Sequence, residues 1–341
     1  MNSFTLTQVD SVAAALADRA SHDQSAYLSG GTNLVDLMKY NVTRPGHLTS
    51  LSHLPLHHIE ALPDGGLRLG ALVTNSATAY DAQVQARYPV LSQSILSGAT
   101  PQLRNAATDG GNLNQRTRCP YFYDLATPCN KREPGTGCSA LTGYNRGCGV
   151  LGTSESCIAT HHSDMCVALA VLEAVVRVQG PSGERTIRFE DYHRLPGNTP
   201  EVDNTLQPGE LVVAIDLPAQ GYAEHFTYLK VRDRTSYAFA TVSVAVGLEM
   251  AGDTITRARF ALGGVAHKPW RDQEAEKMLE GQPASPELFR RVAAKVFAEA
   301  KGYPYNAFKI ELGQRAIVRA LRQAVAMDQA RNPNAFLNSN P

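Results

Sequence analysis

Five of the six cysteines of this 341-residue chain lie in one stretch, residues 119–157, and no cysteine precedes it. The sixth, Cys166, follows closely, and the remaining residues contain none. The stretch is rich in Gly, Pro, Asn and Thr and has no periodic apolar pattern, which predicts a long ordered loop. Because long loops inside compact domains usually serve a function, the loop is the first candidate for a binding site.

The spacing of these cysteines bears on what they bind. Eight or nine residues separate each cysteine of the stretch from the next, so the tight pair typical of structural zinc sites is absent. Disulfides suit small secreted domains with little core, whereas this chain is long. An iron–sulfur cluster needs four thiolates and tolerates a wrapping loop. The residues alone leave disulfides, zinc, a cluster and free thiols open, and Cys166, within DMCVALA, is expected to pack as a small hydrophobe.

The composition is that of a soluble globular protein, with 43% hydrophobic and 19% charged residues. At this length we expect two or three packed units. The formal net charge is +0 and no run of Lys or Arg occurs, which argues against a nucleic-acid or anionic-membrane surface. The start of the chain lacks the basic and apolar segments of a secretory signal. We therefore expect a cytoplasmic location, or a periplasmic one reached by co-export with a signal-bearing partner.

The residues around the cysteine stretch predict a mixture of strands and helices. FTLTQ is typical of a strand, and DSVAAALADRA of a helix capped by Asp10 or Ser11. AYLSGGTNLVDLMKY predicts a strand, a glycine turn and a helix, and GGLRLGALVTN predicts a strand. Residues 76–99 have helical spacing that ends near Gly98, and SDMCVALAVLEAVVRVQG predicts a helix that runs into a strand.

The second half has a different pattern. Four segments are typical of consecutive strands in an antiparallel sheet: GELVVAIDLP, HFTYLKVRDR, AFATVSVAVGLEM and ITRARFALGGVA. Helical segments follow at residues 268–281, 285–300 and 309–330. Strands followed by helices predict an α+β unit separate from the first half, with the boundary near residues 218–225.

Two glycine pairs lie in patterns that suit the binding of an anion. Gly30–Gly31, followed by Thr32 and Asn33, comes directly after a predicted strand and before a predicted helix. That arrangement exposes amide N–H groups and a helix N-terminus to a phosphate group. The second pair, Gly110–Gly111, lies in RNAATDGGNLNQR. A plain tight turn is the alternative at each place, but two such loops could hold one long ligand from both sides.

Four motifs occur in a specific order: GGTNLVDLMK, QLRNAATDGGNL, the pair Ser163–Asp164 and YLKVRDR. In this order they resemble the FAD-binding medium subunit of the xanthine dehydrogenase and molybdenum hydroxylase family, over essentially the whole chain. The cysteine insertion resembles that of the flavin subunit of bacterial periplasmic aldehyde oxidoreductases, in which a 4Fe-4S cluster accompanies FAD. The flavin subunit of 4-hydroxybenzoyl-CoA reductase also carries a cluster loop, so the insertion does not define the substrate.

The resemblance implies an α+β fold with two domains. Residues 1–220 would form a two-part FAD-binding domain of the PCMH/vanillyl-alcohol-oxidase type, with the 4Fe-4S loop inserted at about 115–160. Residues 225–330 would form a smaller α+β domain of the CO dehydrogenase flavoprotein type, with an antiparallel sheet and helices.

The resemblance also implies the residues that hold the cofactors. Asp164 would bind the ribityl or phosphate region of FAD, and Lys230 would lie near the isoalloxazine, where a positive charge stabilises the anionic reduced flavin. A solvated strand lysine is the alternative interpretation of Lys230. The pyrophosphate would be held by a first loop, Ala26, Tyr27, Leu28, Ser29, Gly30, Gly31, Thr32, Asn33 and Leu34, and by a second, Thr108, Gly111 and Asn112. The cluster ligands would be Cys119, Cys129, Cys138 and Cys157, with Cys148 as a possible substitute.

The activity that the resemblance implies is electron transfer within a heterotrimer. A large subunit with molybdenum cofactor would oxidise an aldehyde, a small subunit with 2Fe-2S clusters would relay the electrons, and this chain would pass them through FAD to an external acceptor. No residue of this chain is expected to be a catalytic base. NAD-using relatives have an acidic residue seven positions after the lysine, where this chain has Tyr237, so we expect a quinone, oxygen or protein acceptor.

Three other functions are kept as alternatives. The first is the flavin subunit of an enzyme like xanthine dehydrogenase or hydroxybenzoyl-CoA reductase. The second is a non-catalytic protein that binds zinc through its cysteines and uses its glycine loops only as turns. The third is a self-contained flavin oxidase, which would need its own substrate base.

Overall fold

The structure, a computed structural model, describes residues 1–327. The strands are β1 Thr5–Gln8, β2 Ser25–Leu28, β3 His47–Ser50, β4 Ile59–Ala61, β5 Leu67–Gly70, β6 Val175–Gly180, β7 Gly183–Arg188, β8 Leu211–Leu217, β9 His225–Val231, β10 Val242–Ala251, β11 Thr254–Gly263 and β12 Gln282–Pro283. The helices are α1 Val12–Ser21, α2 Leu34–Lys39, α3 Asn75–Tyr80, α4 Ala82–Arg87, α5 Pro89–Ser97, α6 Pro101–Ala106, α7 Asp109–Leu113, α8 Pro120–Tyr123, α9 Asp164–Val171, α10 Phe189–Tyr192, α11 Gln273–Lys277, α12 Pro286–Val296 and α13 Phe308–Val325.

The chain begins with a small parallel sheet in the order β1-β3-β2. Helix α1 connects β1 to β2, and its cap is Ser11, whose Oγ accepts a hydrogen bond from the amide of Ala14 at 3.3 Å. Helix α2 follows β2 after the first glycine pair and leads the chain to β3. The predicted strand, glycine turn and helix are therefore present, and the first glycine pair lies at the carboxyl end of a parallel strand.

The second sheet of the first half has the order β4-β5-β8-β6-β7 and is antiparallel. Its central strand β8 corresponds to the segment GELVVAIDLP, which the sequence placed with the C-terminal strands. That placement was wrong, because β8 pairs with β5 and β6. An apolar run is typical of any central strand, so it does not reveal which sheet the strand joins.

The helical stretch predicted at residues 76–99 is divided into α3, α4 and α5. Asp81 ends α3 and caps α4, since its Oδ1 accepts the amides of Gln83 and Val84 at 2.9 and 3.0 Å. Pro89 lacks an amide hydrogen and begins α5 at its first position. Helix α5 ends at Ser97 and is followed by Gly98, as predicted. It packs against α9, whose residues from Met165 to Val171 are buried.

The C-terminal part contains an antiparallel sheet in the order β12-β11-β10-β9. Helices α12 and α13 pack together, and α13 covers β10 and β9. Helix α11 is shorter than the predicted segment 268–281. The predicted last helix and the second domain were both placed as far as residue 330, and their residues 328–330 lie outside the described residues. The α+β fold class, with a two-part first half and a smaller C-terminal unit, is confirmed, whereas the domain limits stay a prediction.

The cysteine stretch forms the predicted loop. Between α8 and α9 the chain has no helix or strand, apart from a single antiparallel bridge that pairs Cys129 with Cys138. None of the helices within residues 1–327 combines the length and the apolar character that a membrane span requires.

Candidate functional site

The two glycine loops are in direct contact. A Cβ atom at Gly30 would lie 1.8 Å from the carbonyl oxygen of Ala106, so only glycine permits this approach. The hydroxyl oxygens of Ser29 and Thr108 are 2.6 Å apart. Residues separated by almost eighty positions in the chain thus form one surface, as expected if both loops bind one ligand. The side chain of Tyr27 has a different partner, since its hydroxyl donates to the carbonyl oxygen of Gly209 at 3.3 Å.

The first loop presents a row of hydrogen-bond donors. Within the described residues, no protein acceptor is bonded to the amides of Gly30, Gly31, Thr32 and Asn33. Gly31 has a φ of 72°, which turns successive amides toward the same side. The side chain of Asn33 accepts the amide of Arg116 at 2.9 Å through Oδ1, while its buried Nδ2 has no partner. Unpaired amides of this kind fit the phosphate oxygens of an anionic ligand.

The second loop is held by its own side chains. Thr108 caps the short helix α7 and accepts the amide of Gly111 at 3.2 Å. Asn112 is held at both ends of its amide, because Nδ2 donates to Asn75 at 2.8 Å and Oδ1 accepts the hydroxyl of Ser163 at 2.6 Å. Ser163 belongs to the third motif, so the second and third motifs meet here.

Asp109 lies beneath the second loop and was not among the predicted site residues. It is fully buried, and its two carboxyl oxygens accept hydrogen bonds from Asn75 at 2.7 Å and from Thr78 at 2.5 Å. Burial raises the pKa of Asp109 to about 7, and the two hydrogen bonds offset that rise only in part. Its position in TDGGN was a weak signal, since an aspartate beside glycines is usual in exposed turns.

The third and fourth motifs meet in a buried ion pair. Lys230, on β9, donates from Nζ to Asp164 Oδ2 at 2.8 Å and to the carbonyl oxygen of Ser97 at 3.0 Å. The side chains of Lys230 and Asp164 are 4% and 9% exposed, so the alternative of a solvated strand lysine was wrong. Tyr228 donates its hydroxyl to the other carboxyl oxygen of Asp164. Burial, together with Asp164, raises the pKa of Tyr228 well above its usual value.

The cysteine loop encloses a small cavity. Its lining includes the four predicted ligands, Cys119, Cys129, Cys138 and Cys157. Cys148 does not line the cavity. Its thiol forms a hydrogen bond with the thiol of Cys119, and this hydrogen bond together with burial raises the pKa of Cys119. Among residues 1–327, no three sulfurs of the loop lie within 4.8 Å of one another. Tetrahedral zinc at about 2.3 Å from each sulfur would require separations of about 3.8 Å, so the arrangement fits a larger group.

A charged network beside this cavity was not predicted. Lys131, two positions after Cys129, is buried and donates to the carbonyl oxygen of Pro200 at 2.8 Å and to Asp203. Arg116 donates to the other oxygen of Asp203 at 2.7 Å. Burial disfavours the charge on Asp203, but Lys131 and Arg116 outweigh burial and lower its pKa. The partners are about seventy to ninety positions apart in the chain, so no local sequence signal could have paired them.

Comparison with known proteins agrees with the motifs. Two family descriptions match this chain: "FAD binding domain in molybdopterin dehydrogenase" over residues 2–220, and "CO dehydrogenase flavoprotein C-terminal domain" over residues 226–324. The aldehyde oxidoreductase FAD-binding subunit PaoB of Escherichia coli (strain K12) is 47% identical over 96% of this chain and 99% of its own length. The glyceraldehyde dehydrogenase medium chain of Sulfolobus acidocaldarius is 25% identical over 87% and 88%.

Solved structures share the fold. A chain of the reconstituted CO dehydrogenase from Oligotropha carboxidovorans superimposes with a TM-score of 0.76, covering 96% of this chain and 99% of that chain. The two sequences are 23% identical, so this likeness supports the fold alone.

Proposed function

Because this chain belongs to the family of FAD-binding subunits of molybdopterin dehydrogenases, we propose that it is the FAD- and 4Fe-4S-containing electron-transfer subunit of a molybdenum-dependent aldehyde oxidoreductase. The single observation that carries the proposal is the cavity lined by four cysteines within an FAD-binding domain. The near full-length relative named as an aldehyde oxidoreductase subunit supports the choice of aldehydes as substrate class.

The two glycine loops would hold the FAD pyrophosphate. The unpaired amides of residues 30–33 and the Nδ2 atom of Asn33 supply donors without a competing protein acceptor. The close contact of Gly30 with Ala106 keeps the two loops at one separation, and Thr108 and Asn112 hold the second loop in place. The role of these residues would be to bind and orient the cofactor.

FAD supplies a carrier that takes single electrons and can release a pair. Lys230 would place a positive charge near the flavin ring, and Asp164 and the carbonyl oxygen of Ser97 hold its ammonium group in one position. The ammonium group has three N–H donors and, within residues 1–327, donates to two acceptors, so one donor is available to a ligand.

Cys119, Cys129, Cys138 and Cys157 would hold the cluster as thiolates. Burial raises the pKa of the Cys157 thiol to about 12, and the charge of Lys131, which is paired with Asp203, offsets only part of that rise. Apart from Cys138, these cysteines are at least nine-tenths buried, so the loop would shield the cluster from water. The cluster would then be either a structural element or an additional electron port.

Partners and acceptor follow from the same proposal. A molybdenum-cofactor large subunit and a small subunit with 2Fe-2S clusters would complete a heterotrimer. Tyr237, where NAD-using relatives carry an acid, is exposed on the loop between β9 and β10 and supports an acceptor other than NAD. The compartment, periplasm or cytoplasm, stays a prediction.

The test is the cofactor content of the purified full chain. We expect flavin absorbance together with broad cluster absorbance, and about four irons and four acid-labile sulfides per FAD. Replacing Cys119 with Ser should remove the iron and leave FAD bound. The matched control is Cys166→Ala, which changes a buried cysteine outside the cavity and should keep the iron. A colourless zinc protein would contradict the whole proposal, and FAD without iron would contradict the cluster.

A further inference from the structure

A second group of metal-binding side chains lies outside the cysteine cavity. His161 precedes α9, Cys166 lies within α9, and His193 follows α10. One ligand atom from each of the three side chains lies within 4.8 Å of the other two. A tetrahedral zinc ion needs ligand atoms about 3.3 to 3.8 Å apart, so a small inward movement of the side chains would be enough. Nothing in the proposed FAD or cluster function uses these three residues.

His193 has the hydrogen bonding of a metal ligand. Its Nε2 lies 2.9 Å from the carbonyl oxygen of Leu113, and a carbonyl oxygen can only accept, so Nε2 carries the proton. Nδ1 therefore keeps its lone pair, and this atom is buried without a hydrogen-bond partner. His193 as a whole is only 4% exposed to solvent. Metal-binding histidines usually donate their other N–H to a carbonyl or carboxylate in this way.

His161 faces the same space. Its ring centroid is 4.3 Å from that of His193, and its Nε2 is also buried without a partner. The amide of Ser163 can only donate, so its long contact with Nδ1, at 3.4 Å, leaves the proton on Nε2, and a metal bound at Nε2 requires that weak contact to be given up. Each of the two neighbouring rings thus has one nitrogen buried without a hydrogen-bond partner, which is costly unless something satisfies it.

Cys166 supplies the third donor. It is completely buried in the hydrophobic core next to Met165 and Val167, which agrees with its expected packing as a small hydrophobe. Packing accounts for the cysteine alone but leaves the two imidazole nitrogens unexplained. Two imidazoles and one thiolate form a borderline-soft donor set of the kind that zinc prefers among common divalent cations.

We propose that His161, Cys166 and His193 form a zinc-binding site distinct from the four-cysteine cavity. Three protein ligands leave the fourth position for water or another small ligand. Ser163 links this site to the second glycine loop, because it lies between two of the ligands in sequence and donates to Asn112. A bound ion would therefore join α9, α10 and the FAD-binding loop at one point.

The experiment measures zinc and iron together in the full chain with its cluster in place. After equilibration with zinc and dialysis into metal-free buffer, mass spectrometry should find one zinc per chain in addition to the iron. Cys166→Ala should weaken zinc binding at least about tenfold while the iron content stays unchanged. Cobalt loaded in place of zinc should show a thiolate charge-transfer band that Cys166→Ala abolishes.

Two further variants keep the test decisive. Cys148→Ala alters another buried cysteine outside the cavity lining and should retain zinc at the wild-type level. His161→Gln provides a second ligand deletion, in case Cys166→Ala does not fold. The proposal is overturned if the full chain binds neither zinc nor cobalt, or if both ligand variants bind zinc as tightly as the wild type.

Discussion

Asp109 shows how one buried residue can organise a loop through its hydrogen bonds. Its carboxyl group is buried beneath Gly110 and Gly111, and it is bonded by Asn75 and Thr78. Because burial raises its pKa to about 7, the folded protein holds a proton there at pH values where the unfolded chain has lost it. The stability of the loop should therefore depend on pH.

We predict that Asp109 contributes stability below about pH 4 and that this contribution is lost as the pH rises through 7. The folded state binds more protons than the unfolded state across that interval, so the free energy of unfolding falls with rising pH. Asp109→Asn mimics the protonated form at every pH. Relative to wild type, the free energy of unfolding of the variant should rise by about 2–3 kcal/mol between pH 5 and pH 8.

Thermal unfolding followed by circular dichroism at pH 5 and pH 8 measures this difference. Asp23→Asn, at an exposed position, is the control and should shift the unfolding midpoint equally at both pH values. The prediction would be contradicted if the difference in unfolding midpoint between Asp109→Asn and wild type were the same at pH 5 and pH 8.

At the level of elements, the start of α13 holds the cysteine loop against the C-terminal domain. Asn306 is completely buried, and its Nδ2 donates to the carbonyl oxygen of Gly149 at 3.0 Å while its Oδ1 accepts the amide of Tyr303 at 2.8 Å. Lys309, also buried, donates to the carbonyl oxygens of Cys148 and Gly264. A long loop without its own helices or strands gains its order from such contacts.

We predict that Asn306→Ala destabilises the protein by about 3 kcal/mol, because it leaves a buried carbonyl and a buried amide without partners. The loop around Cys148 should loosen, so iron should be lost faster when a chelator is added. Thermal unfolding and the rate of iron release measure the two effects.

The matched control is Lys301→Met, which removes a contact from the same segment to the same loop. Lys301 pairs with Glu155 on the surface, where such pairs contribute little. An Asn306→Ala protein that unfolds and releases iron like Lys301→Met would show that the loop is held by other contacts.

At the level of the whole molecule, the ion pair of Lys230 and Asp164 joins the two halves. Lys230 lies on the C-terminal sheet, whereas Asp164 and Ser97 belong to the FAD-binding half. Both charges are buried, so removing one partner leaves the other without an opposite charge, although Tyr228 still donates to Asp164. The pair, with the bonds from Lys230 to Ser97 and from Tyr228 to Asp164, thus joins the two halves at the proposed flavin site.

We predict that Lys230→Met lowers the free energy of unfolding by about 3–5 kcal/mol, the usual cost of a buried, unpaired charge. Asp164→Asn combined with Lys230→Met should be less harmful than the sum of the single changes, by up to about 2 kcal/mol. A double-mutant cycle from denaturant unfolding of the FAD-free chain measures the coupling. Additive effects would mean that the pair does not connect the halves energetically.

Much of the architecture could be predicted because its signals are local. The cap at Ser11, the glycine turn after β2 and the end of α5 near Gly98 each depend on a few adjacent residues. The family resemblance rested on motif order and is confirmed. The placement of β8 was wrong because apolar spacing does not identify the neighbouring strands in a sheet. The division of residues 76–99 was not predicted, although Asp81 is a helix cap and Pro89 begins a helix, because the helical spacing continues across both residues.

The sequence by itself determined the α+β class and the position of a cysteine loop, because these follow from periodicity and composition, and the resemblance of its ordered motifs indicated the family and the FAD. Tertiary structure alone decided that Gly30 meets Ala106, that Lys230 is buried against Asp164, and that four cysteines but not Cys148 line the cavity. It also brought together His161, Cys166 and His193. Contacts between residues distant in the chain depend on packing, which no local pattern of residues encodes.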